Sequence, residues 1–68
     1  MTIETYETRD IHTGKVLATQ EHRMRDNGEQ YILAIVCETG EQSKFEIDLL
    51  SPAVAQYRAL EWLETAIP

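Results

Sequence analysis

Only three glycines occur in the 68 residues, at positions 14, 28 and 40. Each lies in a short polar cluster between longer stretches: Thr13-Gly14, Asp26-Asn27-Gly28-Glu29 and Thr39-Gly40-Glu41-Gln42. Clusters of this kind mark turns, because Gly and Asn tolerate backbone conformations that other residues resist. Asn27-Gly28 in particular suits a type I′ hairpin, in which both central residues take positive φ. The turns divide the first fifty residues into four segments of strand length, about 2–10, 15–25, 30–38 and 43–49. These are rich in Thr, Tyr, Ile and Val, which fit a pleated surface. Connections so short make neighbouring strands antiparallel, and the simplest order is a four-stranded meander.

After the last strand the pattern changes. Ser51 is a good N-cap, because its hydroxyl can accept from a free backbone N–H. Pro52 suits the first helical position, where a missing N–H loses nothing. Residues 53–67 contain no Gly or Pro and favour helix. One amphipathic helix over 52–67 therefore closes the fold, an α+β domain of order ββββα. At 100° per residue Ala53, Tyr57, Leu60, Leu63 and Ile67 share a face, read as the one that meets the sheet. Ala55, Ala59, Trp62 and Ala66 form an adjacent, spare apolar stripe.

The strands alternate unequally. Phe45, Ile47 and Leu49 alternate with Lys44, Glu46 and Asp48, a half-buried pattern. In the third segment Tyr31, Leu33, Ile35 and Cys37 fall on one face and Ile32, Ala34 and Val36 on the other, so it is apolar on both. Val16, Ala18 and Met24 share one parity of the second segment, and Leu17 and Thr19 the other. The first offers only Ile3 and Tyr6, on opposite faces.

Length permits one domain. A chain this short buries only about 60% of the surface that its unfolded form exposes. Cys37 is the only cysteine, so disulfides add nothing, and a small buried apolar role is expected for it. The N-terminus carries early acids and no apolar leader segment, and no run approaches the ~20 apolar residues of a membrane span. The expectation is a complete, small, cytoplasmic protein with no membrane association.

Twelve acids face six bases, for a net charge of −6. The excess is concentrated where Asp26, Glu29, Glu38, Glu41, Glu46 and Asp48 are opposed by Lys44 alone. Residues 15–25 reverse the balance, with Lys15, Arg23 and Arg25 against Glu21. Nucleic-acid binding wants a cationic surface to displace counterions, which most of this chain lacks. A basic protein partner is the expected complement.

No catalytic chemistry stands out. His12, His22 and Cys37 do not match a zinc spacing, and structural zinc wants four N or S ligands. Glu46 with Asp48, and Glu61 with Glu64, read as solvated carboxylates without a low-dielectric pocket to tune them. The glycines are scattered, unlike a phosphate-cradling run. No catalytic residue, metal or cofactor is expected.

Apolar surface is instead in excess. One helix covers one sheet face, yet the third strand is apolar on both and the helix keeps a spare stripe. Ala55, Ala59, Trp62 and Ala66, with Ile32 and Val36 on a free sheet face, are thus the expected apolar interface. Burying ~400 Å² there is worth about 10 kcal/mol gross, before the entropic cost of association. A homodimer or a larger partner would use it. Glu29, Glu38, Glu41, Glu46 and Asp48 are the expected acidic contact set. These features suggest a non-enzymatic interaction protein, of the small acidic kind found among phage and mobile-element accessory proteins, that inhibits a nucleic-acid-handling host partner by surface occupation or charge mimicry. One alternative is a homodimeric single-stranded nucleic-acid binder, using Lys15, Arg23 and Arg25 with Tyr31 for stacking. The ββββα order occurs among such folds, an analogy of fold alone. A structural subunit of a larger complex is another.

Overall fold

The computed structural model describes residues 1–47 and 51–68. Four strands, β1 (Thr2–Arg9), β2 (Val16–Met24), β3 (Gln30–Val36) and β4 (Gln42–Ile47), form one antiparallel sheet in the order β1-β2-β3-β4. Helix α1 (Pro52–Ala66) follows. This is the expected α+β meander with a C-terminal helix. The expected fourth strand ran on to residue 49, and Asp48 and Leu49 lie outside the described residues.

The β2–β3 turn departs from expectation. Among the described residues no non-glycine has positive φ, so Asn27 does not take the type I′ conformation. Gly28 N–H donates to Arg25 O, and Arg25 N–H donates to Glu29 O across a three-residue loop. Gly28 alone turns left-handed, at φ 89°. That is the type I turn with a glycine bulge, the next most common hairpin solution. Asn27 Oδ1 accepts from Glu29 N–H, which favours this form.

The other two hairpins share one design. Gly14 N–H donates to Asp10 O and Asp10 N–H to Lys15 O; Gly40 N–H donates to Val36 O and Val36 N–H to Glu41 O. In each a Thr-Gly pair ends a four-residue loop, and the Thr hydroxyl accepts from the N–H two residues on. Both loops lie at the same end of the sheet, opposite the Gly28 turn.

The core lies between α1 and one sheet face. Ala18, Ile32, Ala34 and Val36 of the sheet meet Ala55, Ala59 and Leu63 of the helix, with Phe45, Ile47, Trp62, Ala66 and Ile67 around them. Ile32, Val36 and Leu63 are the largest fully buried side chains. Each contributes about 1.5–3 kcal/mol by leaving water.

This packing corrects the expected interface. Ile32, Val36, Ala55 and Ala59 are buried within the chain, and Trp62 and Ala66 pack against the same core, so none of these six forms a spare surface. The second stripe meets the sheet together with Leu63 and Ile67 of the first, whereas Ala53, Tyr57 and Leu60 are exposed. Ala55 and Ala59 lack bulk, which lets the helix axis come close to Ile32 and Val36. Trp62 then reaches Phe45, with ring centroids 6.3 Å apart and planes tilted by 56°. A stripe of small residues around one Trp permits close approach of a surface, and here that surface is the chain's own sheet.

The opposite sheet face is less bare than its sequence suggests. Leu33 retains only 7% exposure. Its register partners are Glu21 on β2 and Lys44 on β4, whose long aliphatic stems lie beside it. Cys37 was expected to be buried, but it sits exposed in the β3–β4 turn.

Candidate functional site

The helix sits off centre, for a reason written along the strands. On the face toward α1, β3 and β4 offer Ile32, Ala34, Val36, Phe45 and Ile47. The same face of β2 offers Ala18, then Gln20 and His22, and that of β1 offers their register partners Tyr6 and Glu4. Apolar surface draws the helix over β3 and β4. Its backbone barely approaches β2 and does not approach β1.

The uncovered half-face and the flank of α1 enclose a groove. It is lined by Tyr6, Gln20, Ala53, Gln56, Tyr57 and Leu60, with a volume of about 350 Å³. Tyr57 is 65% exposed and Leu60 41%, although both belong to the helical stripe expected to be buried. Tyr6 O–H donates to a Glu4 carboxylate oxygen at 2.7 Å. That bond, with some loss of hydration, lifts the Tyr6 phenol above its ordinary pKa, and the nearby Gln56 side chain opposes the shift.

Gln20 is the unusual member. It is 8% exposed, and its Oε1 has no hydrogen-bond partner among the described residues. Buried polar atoms are normally paired, and one left alone costs about 1–3 kcal/mol. Its neighbour His22 is equally buried, but its Nε2 shares a hydrogen bond with Gln30 Oε1 at 2.7 Å.

The other face carries the cations. Arg25 and Lys44 both lie over the Tyr31 ring, at 4.4 Å and 5.5 Å from its centroid. Arg23 is Tyr31's direct register partner. Arg25 also donates two bonds to Glu46, at 2.9 Å and 2.6 Å. The guanidinium holds the Glu46 carboxyl below its ordinary pKa, and the carboxylate raises Arg25 in return. Arg23 Nε lies 3.8 Å from Glu21. The cations of this face are thus accompanied by acids, and Tyr31 stacks with guanidinium and ammonium groups of its own chain. Lys15, the third base of the expected cationic group, lies apart in the β1–β2 turn.

The expected acidic set is dispersed. Glu29 closes the β2–β3 turn, whereas Glu38 and Glu41 belong to the β3–β4 turn. The seven residues of β3 separate these ends by about 20 Å at ~3.3 Å per residue. Glu46 is engaged by Arg25 on the open face. Asp48 lies outside the described residues.

His12 and Cys37 stand in the two Thr-Gly turns and His22 within β2. Among the described residues no three His, Cys, Asp or Glu side chains group closely enough to hold a metal ion. No helix among them is long and apolar enough to cross a membrane. Comparison of the sequence with protein-family models and curated proteins, and of the fold with solved structures, finds no match.

Sequence reading missed Tyr6, Gln20, Tyr57 and Leu60 as site residues. The signal was present in β2, where Gln20 and His22 interrupt the apolar parity begun by Val16 and Ala18. A strand with polar residues on its core side cannot attract the helix.

Proposed function

We propose that this chain is a non-enzymatic interaction module that works by occupying a surface on a basic protein partner. The observation that carries this reading is the groove beside α1, where Tyr6, Tyr57 and Leu60 remain exposed together over an uncovered half-sheet. Partly exposed aromatics grouped with aliphatics are the usual anchors of protein interfaces. The net charge of −6 favours encounter with a cationic partner. An inhibitory role toward nucleic-acid-handling machinery, as for phage accessory proteins, is the biological setting we favour. Surface occupation suits it better than charge mimicry, because the acids at Glu29, Glu38, Glu41 and Glu46 do not form one continuous track.

Capture of the partner from the native host tests the reading. Tyr57→Arg with Leu60→Arg abolishes capture, while Arg23→Gln with Lys44→Gln on the open face leaves it intact. Capture that survives the groove variant and fails with the open-face variant refutes the reading.

That second outcome would support single-stranded nucleic-acid binding, favoured by the convergence of Arg23, Arg25 and Lys44 on Tyr31. Its mark is salt-dependent binding of single-stranded DNA. A homodimer, for its part, was suggested by apolar excess on β3, and that excess is largely absorbed within the chain by α1 on one face and by neighbouring side chains over Leu33 on the other.

A further inference from the structure

We infer that the free edge of β4 is a seam between two copies of this chain, paired antiparallel about Phe45. The surface is the strand edge, distinct from both the groove and the apolar face of β3.

The edge groups follow from the register. Antiparallel pairs alternate between bonded and unbonded. Val36 N–H donates to Glu41 O, so Ser43, Phe45 and Ile47, the partners of the other even-numbered β3 residues, bond to β3. Gln42, Lys44 and Glu46 therefore turn their N–H and C=O groups outward. Among the described residues no strand lies beyond β4. Bulges blunt an edge against pairing. The β1 edge has register shifts near both ends, whereas β4 pairs with β3 without a shift.

Charge selects a second copy and fixes its register. β4 carries one base and one acid, two residues apart on one face. A two-fold axis beside Phe45 sets Lys44 opposite Glu46 of the second copy, and Glu46 opposite its Lys44. Each pair exchanges two backbone bonds, and opposite charges across strands attract. An axis at Lys44 or Glu46 would set like charges opposite, and one at Ser43 would match Lys44 only with Gln42. The edge of β4 is locally neutral, although each copy carries −6 in all.

The covered side of the sheet agrees. The axis brings the two Phe45 residues together as an unbonded pair, where side chains approach most closely. Phe45 and Trp62 are only half-buried in the single chain and lie together at this edge. Partly exposed aromatics of this kind serve as interface anchors. Helix α1 lies over β3 and β4. It would stand two strand spacings from its mate, about 10 Å, which is the separation of packed helices. The two grooves open on the far flanks, so the pair presents two docking sites.

Sedimentation of the full chain without partner tests the seam. The expected result is a monomer–dimer equilibrium that weakens as salt rises. Lys44→Glu and Glu46→Lys, each checked for fold by NMR, weaken pairing about tenfold, because two cross-strand pairs turn repulsive at once. Mixing the two variants restores a dimer of one copy of each, since the acids of one strand then face the bases of the other. A merely structural role for Lys44 or Glu46 would not give that rescue. Amide exchange at Lys44 and Glu46 slows as protein concentration rises, while that at Thr5 and Glu7 does not change. Tyr57→Arg with Leu60→Arg leaves the dimer intact.

A monomer at millimolar concentration overturns the inference. So does a mixture of the charge variants that pairs no better than either alone. Concentration-dependent protection in β1 instead of β4, or loss of the dimer in the groove variant, would place the contact elsewhere and overturn it as well.

Discussion

Asp10 shows how one side chain holds a turn in this chain. Its carboxylate accepts from the N–H groups of His12 and Thr13, at 2.8 Å and 3.0 Å. Bonds from Thr13 and His12 keep its pKa below the ordinary aspartate range, as Arg25 does for Glu46. Both groups bind protons more weakly folded than unfolded. Their stabilisation is therefore complete above the unfolded pKa values, near 4, and is lost as pH falls through the lower folded values. Stability should decline below about pH 4. In Asp10→Asn with Glu46→Gln that decline is shallower, because two linked protons are gone. Thermal melts from pH 7 to pH 2 check this, and an unchanged acid slope would refute the role given to the two carboxylates. The sequence marked this turn by Thr13-Gly14, but the carboxylate bonds depend on how the loop closes.

The helix shows both what sequence reveals and where it stops. Its start was plain. Ser51 is extended at the cap, its Oγ accepts from Ala53 N–H at 3.1 Å, and Pro52 follows. These are local interactions, fixed by neighbours in the chain. The strand count and order were equally legible, since the turns are short and polar. The buried helical stripe was not. Two adjacent apolar stripes satisfy the same periodicity, and choosing between them requires the partner surface. Ile32 and Val36 project from β3, so the helix meets them with alanines and turns Tyr57 and Leu60 outward. Truncation separates the buried side of the helix from the exposed one. Leu63→Ala should cost about 2–5 kcal/mol, the range for a buried leucine that leaves a cavity. Tyr57→Ala should stay within about 1 kcal/mol, as exposed substitutions do. Urea unfolding of the two variants decides, and comparable losses would contradict the packing described.

At the scale of the whole molecule, the off-centre helix divides the sheet into a covered half and an open half. β3 is bonded on both sides and lies beneath α1. β1 is bonded on one side only, by β2, with register shifts near both ends. Seven of its eight residues are exposed, and the helix backbone does not reach it. Segments with few buried contacts and solvated hydrogen bonds open most readily. Amide hydrogen exchange should therefore be fastest among the strands in β1 and slowest in β3. The groove joins these unequal parts, with Tyr6 on one wall and Tyr57 and Leu60 on the other. An occupant that contacts both walls ties β1 to the helix. It must then slow exchange in β1 more than in β3, whose protection already approaches the limit set by global unfolding. An occupant on the Tyr31 face touches β2, β3 and β4 instead, and leaves β1 to open as before. Exchange measured with and without the captured partner separates these two modes. Protection gained around Tyr6, with little change at Ile32 and Val36, is the pattern required of docking in the groove.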